Sequence, residues 1–199
     1  MERLIGLDGD LTKFVIGCDP GPERCALALV MRNDVLGCLQ VEGVAYPRWE
    51  DLLDESPSTI SAVIPMMGEM SLAYEKVTSR YGACPGATTY DTCRNSGVVL
   101  AWFVRAGIVA AYGIGTVDWR VALGGRTNLS DAEVHAELKR ILPDESEAFV
   151  NAEAKRLKKC YNLDKPIGCH LRDAVGVAVG AYLMKRHGTP ASAREVWHV

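Results

Sequence analysis

The chain has 199 residues and a formal net charge of −3, with 48% hydrophobic and 24% charged residues. This composition is typical of a globular protein with a buried core, and it argues against a protein coated in basic charge for nucleic acid while leaving room for a local basic face. No apolar run approaches the roughly 20 residues of a membrane-spanning helix, and the N-terminus carries no signal-peptide or transit-peptide pattern.

The seven cysteines are an odd number, and no two of them form a Cys-x-x-Cys pair. Several lie in or beside apolar segments, where a free thiol packs as a small hydrophobic group; these are Cys18, Cys25, Cys38 and Cys93. We therefore expect reduced thiols, no zinc cluster and an intracellular, cytoplasmic location without membrane association.

Apolar runs separated by turn residues predict strands in the first half of the chain. Three of these strands are expected to be antiparallel neighbours, with a hairpin turn at Asn33-Asp34. Prolines and Gly68 favour no more than a short helix or turn over residues 49–68. The four predicted strands are residues 14–18, 25–32, 35–43 and 70–77.

The second half predicts mostly helices. Ser130 and Glu133 form a capping-box pattern, and Gly107 marks the end of an earlier helix. A fifth strand is expected over residues 108–114. The four predicted helices are residues 91–105, 130–142, 145–160 and 170–186.

Together these elements predict an α/β fold, a mixed five-stranded sheet with helices on both faces. We expect a single domain at residues 14–188, an N-terminal arm at 1–13 and a C-terminal tail at 189–199.

Asp19 ends the first predicted strand and is followed at once by Pro20-Gly21. A carboxylate at the end of a buried strand is costly unless it is paired or bound to a metal. The alternative is a turn-forming Asp, which is common before Pro-Gly. Asp19 is thus a candidate catalytic carboxylate.

Glu75 lies within the fourth predicted strand, beside Tyr74 and Val77. An edge or solvent-facing position would also explain a Glu in a strand. Glu69 competes with it as the second carboxylate, but Glu69 follows Gly68 and lacks comparable strand neighbours.

His170 and Asp173 are three residues apart at the start of the last predicted helix, so they share a face. The helix continues with small apolar residues, which indicates burial against a sheet. Asp173 alone would fit a first-turn acid favoured by the helix dipole, and a lone His is often structural.

A strand-one Asp, a strand-four Glu and a helix His/Asp pair can converge at one edge of the sheet. Oxygen ligands of this kind suit Mg²⁺, which keeps several waters and acts on phosphates. Two such ions can activate a water and stabilise the leaving oxygen during phosphodiester cleavage.

Three segments resemble the motifs of the RuvC-like Holliday junction resolvases, which belong to the RNase H-like superfamily. The segments are Val15-Ile-Gly-Cys-Asp19-Pro20-Gly21, Leu72-Ala-Tyr-Glu75-Lys-Val77 and His170-Leu-Arg-Asp173-Ala174. Residues 96–101 are similar to the helix after the Glu strand, and residues 115–126 to a strand end and linker. The resemblance covers about residues 14–186, in the family's order.

The resemblance implies an RNase H-like nuclease domain that forms a homodimer and nicks four-way DNA junctions symmetrically in recombination and repair. It implies Mg²⁺ or Mn²⁺ as cofactor, with Asp19, Glu75, His170 and Asp173 as the catalytic metal ligands. It also implies that the loop after Glu75 reaches the junction, where Tyr81 is a candidate to stack on DNA.

Lysine and arginine carry most of the affinity for DNA phosphates. Two groups are candidates: one flanks the Glu75 strand, and the other is a basic run before the His170/Asp173 pair, for which a solvated helix face is the alternative. They are Lys76, Arg80, Arg94, Lys155, Arg156, Lys158, Lys159 and Lys165.

Three other functions fit parts of the pattern. A nuclease of the same fold could act on other branched DNA or on RNA-containing duplex. A module that retains the fold could bind DNA without cutting it. An actin-like phosphate-binding fold shares the Asp-x-Gly turn, but it needs two domains and a second Gly-rich loop, for which 199 residues leave no room.

Overall fold

The computed structural model describes residues 13–53, 70–76, 87–108, 110–187 and 195–197. Its strands are β1 (Phe14–Pro20), β2 (Cys25–Asn33), β3 (Cys38–Ala45), β4 (Met70–Lys76), β5 (Ala110–Gly115) and β6 (Glu195–Trp197). They form one sheet in the order β3-β2-β1-β4-β5-β6. β2 runs antiparallel to β1 and β3, whereas β4 runs parallel to β1 and β5.

The five predicted strands are thus all present in a mixed sheet. The three-residue strand β6 lies in the segment predicted as a tail and pairs antiparallel with β5. β1, β4 and β5 are parallel, so their carboxyl ends lie at the same edge of the sheet, where open α/β sheets usually place their sites.

The helices are α1 (Trp49–Leu53), α2 (Ala87–Arg105), α3 (Thr116–Gly124), α4 (Asp131–Ile141), α5 (Asp144–Cys160) and α6 (Gly168–His187). The predicted capping box at α4 is confirmed: the Ser130 hydroxyl accepts from the Glu133 amide, and the Glu133 carboxylate accepts from the Ser130 amide. Of the helices described, none has both the length and the apolar character needed to cross a bilayer.

Helices cover both faces of the sheet, as predicted. Alternate residues of β1 point to opposite sides: Val15 packs in the core layer that contains α3 to α6, whereas Ile16 packs with α2. The central strands are buried on both faces, which explains why they read as continuous apolar runs.

α6 lies directly on β1 because Gly17 has no side chain. A Cβ at Gly17 would stand 1.9 Å from the backbone oxygen of Ala174. Further along α6, Cβ atoms at Gly176 and Gly180 would each meet Trp119 of α3 at 2.7 Å. Gly17 therefore sets how closely α6 approaches β1, and Gly176 and Gly180 set how closely α6 approaches α3.

Two local predictions were wrong. Residues 116–124 form α3, not a linker. The residue at its N-cap is Gly115, which has no side chain to cap the helix, so no capping signal marks its start. The β2–β3 turn covers four residues, not two: the Asn33 side chain accepts from the amides of Val35 and Leu36, and Gly37 has φ 65°.

The six cysteines within the described residues are all free thiols. Cys18 and Cys25 are buried, but Cys93 is exposed on α2 and does not pack as a hydrophobic group.

Candidate active site

Asp19 lies one residue before the end of β1, opposite Ala26 of β2. A tight turn follows, in which the Gly21 amide donates to the Arg24 carbonyl at 2.9 Å. Asn95 of α2, itself 1% exposed, fixes this turn by donating from Nδ2 to the carbonyls of Gly21 and Pro22. The turn that presents Asp19 is thus held from a neighbouring helix, a role of Asn95 that the sequence did not reveal.

His170, in the first turn of α6, reaches Asp19 across the sheet edge. Its Nδ1 lies 3.2 Å from Oδ2 of Asp19, and its ring stacks on Tyr46 with centroids 6.0 Å apart. The hydrogen bond to Asp19 raises the pKa of His170, helped by the charges of Asp19 and Asp173. The two residues, 151 positions apart in the chain, therefore form one unit.

Glu75 lies next to the last residue of β4, opposite Ile114 of β5. Because β1 and β4 are parallel and Cys18 pairs with Tyr74, Asp19 and Glu75 are at equivalent heights. The Thr116 hydroxyl, at the start of α3, donates to Oε1 of Glu75. Burial, with the charge of Asp19, raises the pKa of Glu75, although the Thr116 bond opposes this. Glu69 lies outside the described residues.

Asp173 lies one turn after His170 on α6. Burial, followed by the negative charge of Asp19, raises the pKa of Asp173 to about 7, and the guanidinium of Arg120 opposes this. Arg120 is fixed on α3 by the Leu129 carbonyl and by Asp131, whose Oδ1 is 3.3 Å from Nη2. Asp19, Glu75 and Asp173 thus lie within electrostatic reach of one another.

The donor chemistry of this set fits a hard divalent cation. The negative charge of Asp19 helps to raise the pKa of both Glu75 and Asp173, and a bound Mg²⁺ would relieve this repulsion. Within the described parts of the chain, however, no three His, Cys, Asp or Glu side chains already surround a common metal position.

Because the pKa of Asp173 is raised, we expect this residue to make the folded protein less stable as pH rises. The folded state favours the neutral acid more than the unfolded chain does, so this contribution to stability is present below the ordinary pKa of 3.8 and is lost as pH rises through about 7. We expect Asp173→Asn to be more stable than the metal-free parent at pH 8 by roughly 4 kcal/mol, and the advantage to shrink toward pH 4.

Thermal unfolding in EDTA between pH 4 and 8 measures this effect, with Asp164→Asn at an exposed position as control. If the difference in melting temperature between Asp173→Asn and the parent does not change with pH, the Asp173 carboxyl has the same pKa in the folded and unfolded protein. Added Mg²⁺ is expected to raise the melting temperature of the parent more than that of Asp173→Asn.

Comparison with solved structures identifies the fold. Thermus thermophilus RuvC in complex with Holliday junction substrate superposes with a TM-score of 0.62 at 20% identity, over 89% of this chain and 97% of that one. A second T. thermophilus RuvC structure gives 0.58, also at 20% identity, over 88% and 97%. The chain has the RuvC-like, RNase H-like fold.

A further match is the yeast mitochondrial Holliday junction resolvase Ydc2, with a TM-score of 0.52 at 12% identity over 88% of this chain and 80% of that one. No family model matches the sequence, and no curated protein does either. The likeness therefore concerns the fold.

Within this fold, most of the predicted DNA-binding residues that the structure describes lie on three different elements, β4, α2 and α5. Lys76 follows Glu75 at the end of β4, and Arg94 of α2 lies over the Trp49 ring at 4.8 Å. Arg156 of α5 forms an ion pair with Glu153 at 2.7 Å, so its positive charge is partly neutralised before any phosphate binds. Lys155 and Lys159 are exposed on α5, and Lys158 is partly buried. Arg80 and Tyr81 lie outside the described residues.

Proposed function

We propose that this protein is a metal-dependent endonuclease that nicks four-way DNA junctions on two strands. The observation that carries this proposal is the meeting of Asp19, Glu75, His170 and Asp173 at one edge of a RuvC-like sheet. Two of these acids, Glu75 and Asp173, have a pKa raised by burial and by the charge of Asp19, and such clusters are typical of functional sites.

Asp19, Glu75, His170 and Asp173 would hold Mg²⁺ or Mn²⁺. When bound, divalent ions of this kind polarise a phosphodiester and lower the pKa of a coordinated water. The chain itself supplies a rigid Asp19 at the end of β1, a Glu75 oriented by Thr116, and an Asp173 kept close by the contact of α6 with Gly17.

One role proposed for His170 is to accept a proton from the attacking water. If the neutral ring donates Nδ1–H to Asp19, then Nε2 is left as an acceptor for a proton from the attacking water. The alternative role is ligation of a metal through the same nitrogen. In both roles Asp19 sets the tautomer and orientation of the ring.

We further propose a homodimer as the working form, because a four-way junction has two equivalent strands and a two-fold assembly presents two sites to them. The protein would act inside the cell in recombination and repair. The candidate phosphate contacts are those named above on β4, α2 and α5.

Incubation with labelled four-way junction, linear duplex and RNA–DNA hybrid, in Mg²⁺ or EDTA, tests this function. We expect paired nicks in the junction, in Mg²⁺ and not in EDTA. Equal cutting of all three substrates would refute junction specificity, and cutting of the hybrid alone would indicate a ribonuclease. Binding without cutting would favour the non-catalytic module, and Mg²⁺-dependent ATP hydrolysis without cutting would favour the actin-like alternative.

A further inference from the structure

A cleft of about 360 Å³ opens beside Asp19 and His170. One wall is the turn after β1, and the opposite wall is the loop between α5 and α6, which contributes Lys165. Its volume is in the range of small-ligand sites, roughly 300–1,000 Å³. The cleft is therefore a space directly next to the candidate catalytic groups that the metal ligands do not fill.

Arg24 lines this cleft and is held between two aromatic rings. Its guanidinium carbon lies 4.5 Å from the centroid of Tyr161 and 5.9 Å from that of Tyr46, and its Nη1 donates to the Tyr46 carbonyl at 3.0 Å. Stacking of this kind fixes the planar group without neutralising it.

The charge of Arg24 is not balanced by a carboxylate. In the described part of the chain no acidic side chain forms an ion pair with Arg24, whereas Arg120, Arg126 and Arg156 each pair with one. A half-buried guanidinium with neutral partners keeps the capacity to bind an anion. Three carboxylates line the cleft: Asp19 is paired with His170, and Glu23 and Asp164 are exposed and thus screened by water.

Arg24 and Asp19 belong to one rigid hairpin. Besides the Gly21–Arg24 bond, the Cys25 amide donates to the Pro47 carbonyl at 3.1 Å and the Trp49 amide to the Glu23 carbonyl at 3.4 Å. Asn95 holds the same turn from α2. An anion bound to Arg24 would therefore be positioned in a fixed relation to Asp19.

We propose that, given the endonuclease function proposed above, Arg24 binds a phosphate that flanks the scissile phosphate of the cut strand. The cleft seats the nucleotide between these two phosphates, and Lys165 adds a second, exposed positive charge from the opposite wall. Arg24 is thus a substrate-binding residue that sets which phosphate reaches Asp19.

The test combines Arg24→Gln with methylphosphonate substitution, which removes the charge of one chosen phosphate. Junctions with a single methylphosphonate at each position around the cut are bound in EDTA, followed by fluorescence anisotropy, and cut in Mg²⁺. Arg48→Gln is the matched control, because Arg48 is the bridge partner of Arg24 but is exposed and does not line the cleft.

For the parent and Arg48→Gln, one flanking methylphosphonate is expected to weaken binding and cutting on the order of tenfold. Arg24→Gln should bind and cut unmodified DNA about tenfold more weakly than the parent. A methylphosphonate at the position that affects the parent should weaken binding and cutting by Arg24→Gln almost no further. If the losses caused by Arg24→Gln and by the methylphosphonate multiply, the two act independently and the proposal is wrong. A parent protein that is insensitive to every flanking methylphosphonate would also overturn the proposal, without any variant being needed. A parent that binds junctions without cutting any of them would instead count against the endonuclease function, while the binding scan still decides the role of Arg24.

Discussion

Asp19→Asn is expected to abolish junction cleavage, a loss on the order of 10³-fold, while junction binding stays within about twofold of the parent. Asn keeps the shape of the side chain but removes the charge that a metal ion would need and that orients His170. The charge of Asp19 also raises the pKa values of Glu75 and Asp173, so its removal should not destabilise the metal-free protein.

Single-turnover cleavage, junction binding in EDTA and thermal unfolding measure the three effects separately. Asp34→Asn is the matched control, because the same change is made in the β2–β3 turn, at the far end of the sheet from Asp19. It should leave all three unchanged. Loss of folding or of junction binding in Asp19→Asn would mean that the carboxylate is structural.

Gly17→Ala is expected to destabilise the fold by about 3 kcal/mol or more, because the added Cβ would overlap the Ala174 backbone oxygen, which is part of a helix and cannot rotate away. For a chain of this size, that corresponds to a drop in melting temperature of roughly 6–12 °C. Since α6 must then move away from β1, the cleavage rate should also fall at temperatures where the protein is still folded.

Gly43→Ala makes the same change in β3, where the new Cβ would meet Leu29 at an ordinary 3.8 Å. Its melting temperature should stay within a few degrees of the parent's, a change of less than about 1 kcal/mol. Equal effects of the two substitutions would show that the close contact of α6 with β1 does not hold the site together.

The sequence was sufficient for the architecture because the decisive signals are local. Buried strands read as apolar runs, and the α4 capping box is visible as Ser130 and Glu133. α3 was missed because its first residues, Thr116 and Val117, are β-branched and Gly115 offers no capping side chain. The β2–β3 turn was predicted too short because Asn33-Asp34 was taken as the whole turn, whereas the Asn33 side chain accepts from the amides of Val35 and Leu36 and Gly37 extends the turn.

The site was predicted only as far as chain order and motif resemblance reach. They pointed to Asp19, Glu75, His170 and Asp173, and the structure brings Asp19 within 3.2 Å of His170. Chain order and motif resemblance did not reveal the groups that position these residues or shift their pKa values. Thr116 and Arg120 act from the missed α3, and Asn95 and Arg24 act through contacts with carbonyls and rings.

Digestion of a supercoiled plasmid that extrudes a cruciform measures junction cleavage by the Asp19 cluster in one assay, because paired nicks across one junction convert the circle to a linear molecule. In Mg²⁺ the parent protein is expected to produce linear plasmid with ends at the cruciform base, whereas the Asp19→Asn protein leaves the plasmid supercoiled. Nicked circles without linear product, breaks unrelated to the cruciform, or equal products from Asp19→Asn would contradict a junction endonuclease built on this carboxylate cluster.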